Sequence, residues 1–186
     1  MTTRDTIIAA ADKYIREIGY NAFSYKDISN SVGIRTASIH YYFPAKSDLG
    51  VATIQYHMAQ LEAIQQELAN AAPLDRLLWF LQNYSRINAE NKVCLVGALS
   101  TAFNTLDEPI QQELRLFAES VLNWITGILA DGQREGTFHF GTAPRTKAMM
   151  VITNMLAIVQ LARLTGAADI ERVQKAIIEE LTKQAI

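Results

Sequence analysis

Residues 24–46 read SYKDISNSVGIRTASIHYYFPAK, and this stretch decides how the chain folds. Ser24 with Asp27 three positions on forms a capping box, and Phe23 with Ile28 fits the hydrophobic staple that accompanies one, so a helix starts at Ser24. Gly33 ends it, because glycine takes a left-handed backbone at little cost. A second short helix covers 35–43 and stops before Pro44, whose ring disfavours helical backbone in the residue ahead of it. Two short helices around a glycine, the second small and polar on its outer face, are the layout of a helix-turn-helix that lays its second helix in the DNA major groove. Thr36, Ala37 and Ser38 are small enough for the backbone to approach base edges. Ile39 and Phe43 supply an apolar inner face, His40, Tyr41 and Tyr42 put ring donors at the groove wall, and Lys46 can reach a phosphate. The same pattern also fits a three-helix bundle with exposed aromatics.

Outward from this stretch the chain reads as helix throughout, with no sustained period-2 alternation. Ile7, Ile8, Ala11, Tyr14, Ile15 and Ile18 form one stripe of a first helix over 3–18, capped by Gly19. A long helix over 46–71 follows the helix-turn-helix, then a helix over 74–89 behind Pro73 and a small-residue helix over 94–104. Asp107-Glu108-Pro109 opens a helix to 134, with acidic residues at its positive end. A loop covers 136–141, Pro144 opens a helix ending near Gly166, and Asp169 caps a last helix to 183. The expected fold is all-α with about nine helices and no repeat. A domain boundary is placed near residue 46, giving 1–46 as the helix-turn-helix domain and 47–186 as a larger helical domain.

Bulk properties bound the function. The 186 residues are 49% hydrophobic and contain one cysteine, Cys94, which excludes an internal disulfide and a Cys-cluster metal site. His40, His57 and His139 lack ligand spacing, so neither metal nor cofactor is expected. The residues after Met1 lead straight into an amphipathic pattern, so no secretory signal is expected. The apolar run 148–162 holds 15 residues and contains Thr153, Asn154 and Gln160. That is too short and too polar for a membrane span, and a cytoplasmic protein is expected. The net charge is −2, split as +1 over 1–50 and −3 over 51–186, with +2 inside 24–46 (Lys26, Arg35 and Lys46 against Asp27). So small a positive footprint calls for two copies on a twofold axis to bind DNA well at physiological salt. No Ser/His/Asp constellation, phosphate loop or metal spacing supports an enzyme. A helical adaptor binding only protein is the competing non-enzymatic reading.

Gly19-Tyr20, Phe23-Ser24, Ile28, Val32-Gly33-Ile34, Ser38-Ile39-His40-Tyr41-Tyr42-Phe43 and Lys46 together resemble the DNA-binding domain of TetR-family transcriptional repressors, over residues 5–50. The length and the helical remainder also fit. The resemblance implies that Ser24 and Lys26 touch phosphates, that Thr36, Ala37, Ser38 and His40 face bases or nearby backbone, and that Tyr41, Tyr42 and Lys46 clamp phosphates. Two residues depart from the family pattern. Arg35 stands where members usually carry Ser or Thr, so either Thr36 caps one residue later or Arg35 makes its own DNA contact. His40 stands where Tyr is usual, which shortens the reach. Tyr14, Tyr20 and Tyr25 read as core or rim packing, Tyr25 least firmly so.

The remainder reads as a regulatory and dimerisation half. The helix carrying Ala148 to Ala162 has almost no polar face, and a helix apolar all round must be buried all round. The last helix presents Ile170, Val173, Ile177 and Leu181, with Ala176 allowing close approach. A homodimer through these last two helices is therefore expected, as the resemblance also implies. The family further implies a small-molecule inducer pocket, and its aromatic and Met content suits a largely apolar ligand. The candidates are Trp79, Tyr84, Cys94, Phe103, Phe117, Trp124 and Met155, each equally readable as core. Cys94 also resembles the segment of a thiol-sensing branch of the family, where a helix N-terminus and Lys92 would favour the thiolate. Its other reading is a small buried residue.

Overall fold

The computed structural model describes residues 2–183. Its elements among the described residues are α1 (Thr3–Ile18), a 3₁₀ turn (Tyr20–Ala22), α2 (Tyr25–Val32), α3 (Thr36–Tyr42), α4 (Lys46–Glu67), α5 (Pro73–Ala89), α6 (Leu95–Ser100), a second 3₁₀ turn (Phe103–Thr105), α7 (Glu108–Arg134), α8 (Pro144–Thr165) and α9 (Ala168–Thr182). The helix order matches the sequence reading and the differences lie at the ends. α4 stops at Glu67, before 71, and α6 is six residues long and passes into a 3₁₀ turn. The N-cap of α9 is Ala167, and Asp169 instead sits inside the first turn and pairs with Arg172 at 2.6 Å.

The chain divides into two compact units, one of residues up to Glu62 with Lys92–Ala118, the other of Ala63–Asn91 with the residues from Glu119 onward. The divisions fall inside α4, in the loop between α5 and α6, and inside α7. In the first unit α1 packs on α2 and α6, and α2 packs on α3. Ile7, Ile15, Ile28, Ile39, Phe43, Leu49 and Ile54 are fully buried there. Gly50 permits close packing, since a Cβ on it would stand 2.8 Å from the Ile110 side chain. A polar group crosses this apolar interior. Asp12 of α1 accepts from His57 of α4 at 2.6 Å and from Arg16 at 3.2 Å, and Arg16 Nε donates to the carbonyl of Val93 at 2.9 Å. The Val93 N–H returns a bond to the Arg16 carbonyl at 3.1 Å.

In the second unit α8 and α9 pack on each other and both pack on α5. Ile170, Ile177 and Leu181 are buried by this packing. The α9 stripe expected to meet a second copy is therefore largely used within the chain, because α8 and α5 lie against it. Within the single chain α8 is buried on one face only. Ala148, Val151, Met155, Ile158, Val159 and Ala162 face inward, while Met149, Met150, Leu161 and Leu164 are exposed. At 22 residues with a mean hydropathy of 1.5 over its most apolar window, α8 is long and apolar enough to cross a membrane, which the 15-residue run inside it is not. It also carries a buried Lys147 paired with Glu180 of α9 at 2.6 Å.

Candidate DNA-reading site

The site is built on α2 and α3. Ser24 is the N-cap of α2, and its backbone N–H and hydroxyl both donate to Asp27 Oδ2 at 2.7 Å. The hydroxyl and N–H of Ser24 hold the Asp27 carboxyl below the usual carboxylate range. Gly33 closes the helix in the left-handed region (φ 75°, ψ 30°), with its N–H donating to the Ser29 carbonyl at 2.9 Å. That conformation is what a side chain at 33 would resist, and Gly33→Ala should cost about 1 kcal/mol in urea-induced unfolding. The space around a Cβ there is open, so the loss comes from backbone strain alone.

α3 begins at Thr36 with Arg35 as N-cap, and no side chain caps it. Thr36 thus takes the first helical position and does not replace the missing cap. Ile39 is fully buried and orients the helix, leaving Arg35, Ala37, His40 and Tyr41 exposed and Thr36 and Ser38 half-buried. Tyr41 is 82% exposed, and its ring meets Tyr42 edge-on at 5.2 Å. His40 lies edge-on against Tyr25 at 4.8 Å, with Nδ1 3.3 Å from the Pro44 carbonyl oxygen, so its ring leans toward the end of its own helix. Tyr25 is buried, and its hydroxyl donates toward the carbonyls of Phe43 (2.9 Å) and Ala45 (2.6 Å). Burial pushes its phenol up to about 12. Its ring is packed inside the first unit.

One cation is placed differently from expectation. Lys46 does not extend outward: Nζ donates to the carbonyls of Tyr20 (2.6 Å) and Phe23 and lies over the rings of both residues. Burial lowers its pKa. Lys26, by contrast, is exposed on α2. Sequence reasoning passed over Arg4, an exposed residue whose guanidinium stands 5.3 Å from the Phe43 ring. Arg4 and Tyr42 line the same open cleft of about 520 Å³, together with Pro44, Asp48 and Gln55. The first-turn position of Arg4 was visible in sequence, but its approach to α3 is a tertiary contact.

The seven candidate ligand residues do not fall in one unit. Trp79, Tyr84, Trp124 and Met155 belong to the second, where Trp79 meets Trp124 edge-on at 5.9 Å and Phe80 bridges Tyr84 and Trp124. Cys94, Phe103 and Phe117 belong to the first. Cys94 is buried and caps α6, its Sγ accepting from the Gly97 N–H at 3.2 Å. Among the described residues no group of three or more His, Cys, Asp or Glu side chains could hold a metal ion.

The helix-turn-helix segment and the helical remainder each match a known family model. Residues 7–53 match the model for bacterial regulatory proteins of the tetR family, and residues 73–177 match the tetracyclin repressor-like C-terminal domain. A TetR transcriptional regulator from Legionella pneumophila is 32% identical, with 97% of this chain and 98% of that chain covered and a TM-score of 0.88. A TetR-family regulator from Agrobacterium tumefaciens is 30% identical, with 97% of each chain covered and a TM-score of 0.90. The HTH-type transcriptional regulator CymR of Pseudomonas putida is 32% identical over 79 residues, which span 42% of this chain and 39% of that protein. With both halves matched and the helix-turn-helix geometry in place, the chain belongs to the TetR family of transcriptional regulators.

Proposed function

We propose that the protein is a ligand-responsive repressor that binds a palindromic operator as a homodimer and is released by a small, largely apolar inducer in the cytoplasm. Residues 1–46 serve as the reading domain and 47–186 as the ligand-binding and dimerisation domain. The observation that carries the DNA reading is α3 itself. It is pinned from beneath by Ile39, with small Ala37 and the donors of Arg35 and Tyr41 exposed. Ser24, Lys26, Thr36, Ser38, His40 and Tyr42 complete the proposed contact set. The exposed apolar face of α8 supports a second copy of the chain.

Regulation requires that the inducer bind a DNA-incompetent state better than the competent one, since equal affinity would shift nothing. The aromatic cluster of Trp79, Phe80, Tyr84 and Trp124, with buried Met155, supports an apolar ligand in the second unit. α4 and α7 run through residues of both units and are the proposed levers.

Selection from a randomised duplex pool tests the reading. The expected product is a palindrome whose half-sites lie about 34 Å apart, or a multiple of that. Arg35→Ala and Ser38→Ala should change which bases are selected, at about 1–3 kcal/mol per affected position. Lys26→Ala should weaken all duplexes alike and lower the salt slope by about 1. Failure to select any sequence would leave the protein-binding adaptor as the better reading.

A further inference from the structure

The segments 20–25 and 43–46 hold each other through two opposed ties. Lys46, the first residue of α4, sends its ammonium to the carbonyls of Tyr20 and Phe23, just ahead of α2. Tyr25, the first residue of α2, sends its hydroxyl back toward the carbonyls of Phe43 and Ala45, just after α3. The Lys46 ammonium also stands 4.6 Å from the Tyr20 ring centroid and 4.1 Å from that of Phe23. Two carbonyl oxygens and two ring faces, all complementary to a cation, stand against it, and the Asp27 carboxylate attracts it from farther off. No carboxylate pairs with it among the described ion pairs.

The position of this joint gives it its significance. α2 and α3 are joined at one end by the turn at Gly33, and a turn alone leaves two short helices free to splay. α3 is seven residues long, too short to hold its shape without tertiary support. The ties close the opposite end of the pair, where α2 begins and α3 finishes. Reaching a phosphate would require Lys46 to leave both carbonyls and both rings.

The geometry points to a latch: Lys46 and Tyr25 together set the pose of α3, and Lys46 acts as a positioning residue and not as a phosphate contact. This rests on the reading of α3 as the DNA-recognition helix. A lysine that neutralises a phosphate contributes to every duplex and to the salt dependence of binding, whereas a latch contributes to the match between α3 and its preferred sequence.

The test uses the full-length protein and two labelled duplexes of equal length, one selected by the wild type from a randomised pool and one scrambled. Discrimination by the wild type tests the reading of α3, and its absence overturns both proposals. Given discrimination, Lys46→Met should weaken binding to the selected duplex by about tenfold or more while leaving the scrambled duplex and its salt slope little changed. Lys46→Arg should not restore binding, because a planar guanidinium is bulkier than the compact ammonium seated against the two carbonyls and rings. Tyr25→Phe removes one oxygen, should act in the same direction, and carries the test should Lys46→Met unfold at the assay temperature. The double variant Lys46→Met with Tyr25→Phe should bind no worse than the weaker single variant. A salt slope reduced by about 0.9 in Lys46→Met, restoration by arginine, or wild-type behaviour of either Lys46→Met or Tyr25→Phe would overturn the latch.

Discussion

Replacing Met150 and Leu161 together by Glu should convert the proposed homodimer to a monomer and weaken operator binding by at least about 100-fold, the lower end of what tethering two sites contributes. Both residues are on α8, 45% and 51% exposed, and both fall on one helical stripe with Thr153, Ala157 and Leu164. Leu164 is 86% exposed. Three large apolar side chains exposed on one face of one helix are the kind of patch that soluble proteins cover with a partner. Two glutamates introduced there would have to be desolvated for a partner to seat, and burying unpaired charge is costly. Because neither side chain is buried within the chain, the monomer should keep its helical signal and its melting temperature to within a few degrees. Sedimentation equilibrium gives the assembly state, and titration of the selected duplex gives the affinity. A double variant that remains dimeric would show that the interface lies elsewhere.

The second large effect is expected at Asp12. Its carboxylate is bonded to His57 at 2.6 Å and to Arg16 at 3.2 Å, with all three side chains mostly buried. Asp12→Ala leaves the Arg16 guanidinium in the interior with only the Val93 carbonyl among its described bonds. Breaking one partner out of a buried ion pair costs about 3–5 kcal/mol, which should lower the melting temperature by on the order of 10 °C. The pH dependence has a definite sign. Burial pushes the Asp12 carboxyl up, but the His57 hydrogen bond and the attraction of His57, Arg16 and Lys92 outweigh it, so its folded pKa lies below the ordinary value of 3.8. The unfolded chain therefore takes up this proton first as pH falls. The contribution is fully present above about pH 4 and is lost as pH drops through the depressed folded pKa. Wild-type stability should accordingly fall more steeply below pH 4 than that of Asp12→Ala. Parallel acid limbs in the two proteins would mean that Asp12 titrates alike in both states.

The elements that could be read from sequence are those set by neighbours three or four residues away. Ser24 and Asp27 find each other because a helix start brings positions three apart together, whatever else the chain does. Gly33 was legible because only its own backbone had to be accommodated, and the end of α3 before Pro44 because the restriction acts on the adjacent residue. The family pattern carried the assignment of α3 as the outer helix, and the burial of Ile39 agrees with it.

Tertiary structure alone decided which of several possible partners each side chain took. Lys46 has a flexible stem that reaches solvent or folds inward equally well by sequence. Tyr20 and Phe23, more than twenty positions away, supply the carbonyls and rings that turn it in. Both α8 and α9 offer apolar side chains for a partner by sequence, yet packing among α5, α8 and α9 covers Ile170, Ile177 and Leu181 and leaves Met150, Leu161 and Leu164 exposed. Asp12 sits among solvent-compatible neighbours in the sequence, and its burial depends on His57, 45 positions on, and on Arg16 being drawn to Val93. Local spacing sets where helices start, stop and turn, because those interactions close within one or two turns of backbone. Which apolar face is spent inside the chain, and which charge is spent as scaffold, depends on contacts the chain makes only after the helices have packed.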